Sequence, residues 1–352
     1  MRAAIVGCGS LGGVIAVRLA QDPGIELCVL NHNPAIAAAA ARRGLLLTGP
    51  SRHPLAARPL LCASPPAGST PFDVVILATK ANGLRELCAS LLPALAPGGV
   101  LVTLQNGLIG LELVEAFGPE RVIPGAVLWG ASMTEPGSYR ITATGPFILG
   151  DSLGRSETPA LRAAAALLAR VFPVRTSAAI RGVLWSKLAI NCAFTALGAL
   201  SGLRFGALAR RGSVRRQLLA IGAEVLAAAG SQGVRLEALT GGLDLRRLLE
   251  PGGYAPFLRH ALILALGWKH RRTESAMLDS LRRGRPTEID FLNGFIADLA
   301  ERAGLPAPWN RSIRELVREL EAGRLAPHPA NLALLAGLVA APASGSGGTD
   351  AR

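Results

Sequence analysis

Lysine is nearly absent from this chain of 352 residues. Of its 37 basic residues only Lys80, Lys187 and Lys269 are lysine, and arginine supplies the rest. A guanidinium holds its proton at any ordinary pH, whereas an ammonium can release one and acts as a compact point charge. A lysine in a chain that uses arginine for generic positive charge is therefore a candidate for proton transfer. Aromatic residues are also scarce, at 4%. The net charge of +13 is not gathered into a basic run interleaved with stacking side chains. That weighs against a nucleic-acid partner and favours attraction for small anions, a phosphorylated cofactor and a carboxylate substrate among them. Cysteine is sparse and unpaired in sequence: Cys8, Cys28, Cys62, Cys88 and Cys192 form no C-x-x-C, and the five histidines do not cluster with them. Neither a disulfide framework nor a metal site is expected, and the thiols suit a reducing compartment, the cytoplasm. Long uninterrupted apolar runs are missing too. The most apolar stretch, residues 188–203, contains Asn191, Thr195 and Ser201 and follows Lys187, so it reads as a buried helix rather than a membrane span. Met1-Arg2 leads directly into a strand, which leaves no room for a cleavable signal peptide.

What the chain does have is glycine in a pattern. Ala3-Ala4-Ile5-Val6 runs into Gly7-Cys8-Gly9-Ser10-Leu11-Gly12, and Val14, Ile15, Val17 and Leu19 continue at helical spacing. This is strand, G-x-G-x-x-G turn and helix, the arrangement of a dinucleotide site. Gly7 turns the chain off the strand, Gly9 lets backbone approach a pyrophosphate, and Gly12 lets the helix pack close. The helix then directs its unpaired N–H groups and positive dipole end at phosphate. An ordinary tight strand–helix turn would share some of these features.

Strands and helices alternate from the N-terminus to residue 176. Strands are expected over residues 25–30, 73–78, 99–104 and 122–128, helices over 34–43, 82–92 and 108–117, a hairpin over 138–150 and a closing helix over 158–171. Such alternation specifies an α/β fold, a Rossmann-type doubly wound parallel sheet. From residue 177 to 330 strand patterns stop, and helical periods run over 180–200, 214–229, 236–249, 254–266, 288–303 and 309–321. This predicts an all-helical C-terminal domain. The Ala/Pro/Ser/Gly stretch 341–352 is expected to be disordered.

The second strand ends in Leu30-Asn31-His32-Asn33. No acid is present to bond an adenosine ribose, which favours the 2′-phosphate of NADP over NAD. His32 and Asn33, with Arg42 or Arg43, are candidates for that phosphate, although a solvated loop would read the same way. Lys80 in Ala78-Thr79-Lys80 and Asn106 in Gln105-Asn106-Gly107 follow strand ends, where ligands sit in such sheets. Asn106 offers donor and acceptor, and Asn-Gly is also a plain turn signal. Lys187 and Asn191 are four apart on an apolar helix, with Thr195 next in line. Burying them needs partners, unless the lysine snorkels from a helix end. In Arg285-Pro286-Thr287-Glu288-Ile289-Asp290, Thr287 is a candidate N-cap with Asp290 at N3, and capping alone would account for Glu288 in the first turn.

Taken together, these residues resemble the ketopantoate reductase (2-dehydropantoate 2-reductase) family. The resemblance rests on the glycine loop, Thr79-Lys80-Ala81, Gln105-Asn106-Gly107, the run Leu184 to Asn191 and the run Arg285 to Gly294, and spans roughly residues 1–321. It implies a Rossmann domain followed by a helical domain with the active site in the cleft between them. It also implies NADPH-dependent reduction of a small 2-keto acid to a 2-hydroxy acid. By the resemblance Lys187 is the general acid, Asn106 and Asn191 position substrate, and Glu288 orients substrate and cofactor. Thr195 and Ser275 fall at further substrate-binding positions, and Ala131 joins Gly7 to Gly12, His32, Lys80, Asn106 and Glu288 on the cofactor side. The chain departs from the family at several places. Thr195 and Phe205 stand where the family has asparagines, Ala276 where a serine is expected (Ser275 precedes it), and His32 where the family has arginine. The hydride machinery is complete, while the recognition set is altered toward a more apolar 2-keto acid. A cofactor-sensing module without turnover is the reading from another class, and the intact Lys187 weighs against it. A homodimer is left open, to be indicated by an exposed apolar helix.

Overall fold

The computed structural model describes residues 1–49, 54–66, 68, 70–239 and 243–340. They form two compact units: Met1–Lys187 with Glu237–Leu239, and Leu188–Leu236 with Thr240–Arg352, taken over their described residues. The stretch 341–352, expected to be disordered, lies outside the described residues.

In the first unit the strands are β1 (Arg2–Val6), β2 (Glu26–Leu30), β3 (Leu45–Thr48), β4 (Leu55–Ala57), β5 (Leu60–Cys62), β6 (Phe72–Leu77), β7 (Leu95–Thr103), β8 (Val122–Val127), β9 (Gly130–Glu135), β10 (Ser138–Ala143), β11 (Phe147–Leu149) and β12 (Val174–Thr176). Helices α1 (Ser10–Leu19), α2 (Pro34–Arg43), α3 (Leu84–Leu91), α4 (Ile109–Phe117) and α5 (Pro159–Leu168) lie between them. An eight-stranded sheet has the order β12-β11-β8-β7-β6-β1-β2-β5. From β8 across to β5 the neighbours are parallel. Parallel strands are covered on both faces, which is why β1 and β6 read as unbroken apolar runs. Ala3, Ala4, Ile5, Val74, Val75 and Ile76 are all fully buried.

A second sheet, β4-β3-β10-β9, lies against α1. Its Tyr139 is buried on Gly13, where a Cβ would sit 2.0 Å from the ring. The Tyr139 hydroxyl donates to the Cys8 carbonyl at 2.8 Å. The glycine loop, α1 and the small sheet are thereby fastened together.

The expected hairpin over 138–150 is not formed. β10 pairs with β9 and β3, while β11 runs antiparallel to β8 in the large sheet. Gly145-Pro146 separates them: a Cβ on Gly145 would meet the Leu128 carbonyl at 2.1 Å, and the Leu128 N–H bonds to Pro146 O. A glycine–proline pair lets the chain change sheets instead of turning back.

The second unit is helical. It is entered through α6 (Ile180–Ile190), whose residues up to Lys187 belong to the first unit, followed by a π-helical segment, Asn191–Thr195, and α7 (Ala196–Ser201). Helices α8 (Phe205–Arg210), α9 (Gly212–Ser231), α10 (Leu245–Leu249), α11 (Pro256–Lys269), α12 (Ala276–Arg282), α13 (Asn293–Arg302), α14 (Pro308–Glu321) and α15 (Asn331–Ala340) follow. The span Ile180–Ser201 is long and apolar enough to cross a membrane, but 78% of its window is buried inside the protein. α11 leaves Phe257 and Trp268 exposed. Two expected helices are shorter than their periods. Among the described residues of 236–249 the helix is α10, begun at Asp244, whose side chain accepts from the Arg247 N–H. Over 288–303, α13 begins only at Asn293, after a single 3₁₀ turn, Ile289–Phe291.

Gly13→Ala should cost about 1–3 kcal/mol, the usual penalty of overpacking a filled site. Tyr139→Phe, which removes a single hydrogen bond, should cost about 1 kcal/mol. Urea unfolding monitored by tryptophan fluorescence orders the two; a Gly13→Ala midpoint equal to wild type would refute the close packing of Tyr139 on α1.

Candidate active site

Gly7 leaves β1 with φ +94°, and a Cβ there would lie 2.8 Å from the Thr79 methyl. A Cβ on Gly12 would lie 1.9 Å from the Gly7 carbonyl oxygen. Both glycines are therefore required by the protein's own packing. Gly9 is different: nothing lies within 4 Å of the place its Cβ would occupy. Open space at Gly9 beside a bare helix start is what a pyrophosphate needs to approach the backbone. α1 has no side-chain cap and no acid in its first turn, so no carboxylate competes for its N-terminal N–H groups. Ser10 instead accepts the Met133 N–H at 3.0 Å, which ties the loop to β9 close to half-buried Ala131, and Leu11 is half-buried beside it. Burial pushes the Cys8 thiol up, and its sulfur lies 3.2 Å from the Tyr139 hydroxyl. The loop fits a dinucleotide phosphate.

Half-buried Lys80 and Asn106 follow the carboxyl ends of β6 and β7. Gln105 couples these two ends. Its Nε2 donates to the carbonyls of Leu77 and Thr79 at 3.0 Å each, and its Oε1 accepts the Leu104 N–H at 3.1 Å. No task for Gln105 follows from its sequence position alone; an amide two residues past the end of an apolar strand is the signal. At the end of β2, His32 is exposed. Asn33 is engaged as the N-cap of α2, its Oδ1 accepting from Ala35 and Ile36 N–H. Arg42 and Arg43 occupy the opposite end of α2, about 15 Å away for a helix of ten residues. Arg43 pairs with Glu135 and Ser138. Of the polar group expected around an adenosine phosphate, the structure leaves His32 uncommitted by any capping duty.

In the second unit Asn191 and Thr195 bound the π-helical segment and are both half-buried; Lys187, at the end of the first unit's continuous span and in the last turn of α6, is half-buried as well. An unbroken α-helical line had been expected through Asn191 and Thr195. A π turn frees carbonyls from the α ladder, and such turns are frequent at functional sites. Here the Cys192 carbonyl accepts Asn293 Nδ2 at 3.0 Å. The same Nδ2 donates to Asn310 Oδ1 at 2.9 Å, and Asn310 Nδ2 donates to Glu224 at 2.7 Å. Glu224 also accepts the Trp309 and Asn310 N–H groups, at 2.9 Å each, and so caps α14. Burial pushes the Glu224 carboxyl up against the opposing pull of those donors. Asn293 and Asn310 are fully buried.

Ser275 caps α12, a helix the sequence did not declare. Its hydroxyl donates to Thr195 O at 2.7 Å and accepts the Leu278 N–H at 3.2 Å, so its one proton is held within the protein. Phe205 stacks on Phe194 with ring centroids 5.3 Å apart. Glu288, half-buried, precedes the 3₁₀ turn. The expected capping box is not made. Thr287 Oγ1 accepts from Ile289 N–H, two residues on, and the Thr287 N–H donates to Glu321 at 2.6 Å. Asp290 pairs with Arg318 at 2.8 Å. Charged partners on α14 take the groups that a capping box would have joined.

A family model described as "Ketopantoate reductase PanE/ApbA" matches residues 3–154, and one described as its C-terminal part matches 179–321. The 2-dehydropantoate 2-reductase of Mesorhizobium japonicum is 28% identical, over 92% of this chain and 99% of that protein. A solved PanE/ApbA family ketopantoate reductase from Ralstonia eutropha JMP134 superposes with a TM-score of 0.77 at 27% identity, covering 92% of this chain and 99% of that one. A D-mandelate dehydrogenase solved with NADH and anilino(oxo)acetate shares the fold, with a TM-score of 0.77 at 19% identity and coverage of 92% and 99%.

Removing the Asn293 side chain leaves the Cys192 carbonyl and Asn310 Oδ1 without that buried donor. Asn293→Ala should therefore lose at least about 1–3 kcal/mol of stability. A denaturant midpoint unchanged from wild type would show that the amide does not hold the π segment.

Proposed function

The chain belongs to the ketopantoate reductase family, and on that premise we propose that it reduces 2-dehydropantoate to pantoate with NADPH. The observation that carries the reading is the pairing of an open, uncapped glycine cradle at Gly9 with half-buried Lys187, in a chain that otherwise uses arginine. The family relatives named for this reaction support it over most of the chain's length.

When bound, NADPH supplies the hydride. The residues that would hold it are the loop Gly7 to Gly12, with Ala131, Lys80 and Asn106 along the strand ends and His32 toward the adenosine end. The missing acid after β2 supports NADPH over NADH. As hydride reaches the C2 carbonyl carbon, negative charge builds on oxygen. Lys187 stabilises that charge and gives it a proton, then regains one from solvent. A guanidinium could do only the first. Asn106 and Asn191 position the substrate, each able to donate and accept. Glu288 accepts a hydrogen bond from a substrate hydroxyl and orients the cofactor.

A second reading within the family is a more apolar 2-keto acid. The Phe194–Phe205 stack supports it, as does Ser275, whose proton goes to Thr195 O rather than outward.

Lys187→Ala should lower kcat by about a hundredfold or more, the scale of general-acid loss, while NADPH still binds. Turnover at the wild-type rate would refute the assignment. A panel of 2-keto acids assayed with NADPH separates the two substrates: ketopantoate leads if the first reading holds, and an aliphatic or aromatic 2-keto acid leads if the second does. His32→Arg should improve NADPH over NADH several-fold in kcat/KM, since it places a fixed charge near a 2′-phosphate.

A further inference from the structure

Two of the five cysteines, for which the sequence predicts no disulfide framework, meet in space. Cys28 on β2 and Cys62 on β5 are 34 positions apart, and their sulfurs are 3.0 Å from each other. The register explains the meeting. β2 and β5 are parallel, with Cys28 opposite Leu60 and Leu30 opposite Cys62. The cysteines are therefore offset by two residues across the pair, and both point to the same face. A disulfide needs its sulfurs about 2.05 Å apart, so the sulfurs must close by about 1 Å, and because diagonal neighbours sit about 7–8 Å apart the backbone of one strand must shift with them. β5 can supply it, being a three-residue strand at the edge of the sheet and bonded to a neighbour on one side only. The remaining thiols, Cys8, Cys88 and Cys192, are each buried elsewhere.

We propose that Cys28 and Cys62 form an oxidisable dithiol, a modification site whose co-reactant is a small-molecule disulfide such as glutathione disulfide. The two cysteines differ in access. Cys28 is 3% exposed, whereas Cys62 is half-buried at the edge. Burial, and the bond to Cys62, push the Cys28 thiol up to about 12. Cys62 is the sulfur that meets the oxidant. Cys62 gives its proton to solvent and its thiolate attacks one sulfur of the oxidant, breaking the S–S bond and giving a mixed disulfide and one glutathione thiolate, which takes up a proton. Cys28 then loses its proton to solvent, and its sulfur attacks the Cys62 sulfur and releases the second glutathione. Two electrons pass from the protein to the oxidant, and two thiols become one disulfide.

The site has a direct route to the turn after β2. The Asn31 N–H bonds to the Cys62 carbonyl at 2.9 Å. Asn31 Nδ2 in turn donates to Asn33 O at 2.8 Å, and Asn33 caps α2. Drawing β5 toward β2 moves the carbonyl that holds Asn31, and with it the placement of His32. Oxidation is thus expected to weaken dinucleotide binding, a consequence that rests on the reductase reading; the dithiol itself does not.

Thiol counting on the full-length protein tests the dithiol without any turnover. After incubation with glutathione disulfide, followed by denaturation, the count should fall from five to three, with a loss of two hydrogens in mass and no glutathione retained. Peptide mapping should join Cys28 to Cys62, and dithiothreitol should restore five thiols. Cys28→Ser should stop at a glutathione adduct on Cys62, and Cys62→Ser should keep all its thiols. Five thiols surviving in the wild type, or a link between two chains, overturns the proposal. NADPH titration by fluorescence reads the second part. The dissociation constant should rise at least threefold on oxidation and stay fixed in the Cys28→Ser/Cys62→Ser double variant. An unchanged constant in the oxidised protein overturns the link to the β2 turn. Failure of reductase activity on every keto acid would leave the thiol count intact, and the titration needs only that NADPH bind.

Discussion

The first unit depends on how closely α1 can approach the sheet. At Gly12 the helix backbone lies so near the Gly7 carbonyl that a single added carbon would collide with it. At the next residue, Gly13, the helix takes the ring of Tyr139 on another side. A helix without side chains at these two points is pressed between β1 and the small sheet, and its N-terminus cannot be aimed elsewhere. The direction of its N–H groups is thus set by packing before any ligand arrives. A preorganised donor set of this kind stabilises an anion without the cost of rearrangement. Gly9 is the one loop glycine that the packing does not explain, and it is the one facing open space.

The second unit solves a different problem. Its apolar helices carry polar groups in their interior, and such groups destabilise unless they are paired. The π segment worsens the matter by releasing a carbonyl at Cys192. Asn293, Asn310 and Glu224 answer it with one continuous chain of donors and acceptors. The network joins the π segment, α13, the start of α14 and α9. The backbone that carries Asn191 and Thr195 is thereby held by side chains distant in sequence, and Ser275 fastens Thr195 from α12.

Local chemistry was legible from the sequence; pairing at a distance was not. Strand–glycine–helix at the N-terminus, the α2 span 34–43 and the switch to helices all follow from period and turn residues. The family motifs at Lys187 and Glu288 were legible in the same way. What failed were choices among partners. Thr287 and Asp290 have the spacing of a capping box, but Glu321 and Arg318 outbid it from another helix. Residues 138–150 have the pattern of a hairpin, but Gly145-Pro146 hands the second strand to another sheet. Arg43 sits near His32 in sequence, yet α2 carries it to the other end of the helix. The Cys28–Cys62 contact needed the β2–β5 register, which no spacing within the chain announces.

The arginine excess, read first as generic charge, acquires specific work in the structure. Arg58 reaches two terminal carbonyls of α2, those of Ala41 and Arg42. Arg259 does the same for Leu248 and Leu249 at the end of α10, with Nε on one and an Nη on the other. A forked guanidinium spans two neighbouring carbonyls, and an ammonium, as a point charge, matches that geometry less well. Arginine is therefore selected at these places by shape, and the argument from lysine scarcity narrows. Lys269 is exposed in the last turn of α11, where any cation complements the helix dipole. That leaves half-buried Lys80, after a strand end, and half-buried Lys187, within an apolar helix. Both are partly withdrawn from bulk solvent, where a compact charge whose proton can leave differs most from a fixed guanidinium. What remains to distinguish the ammonium is its ability to give up a proton, and an alkoxide formed by hydride addition requires one.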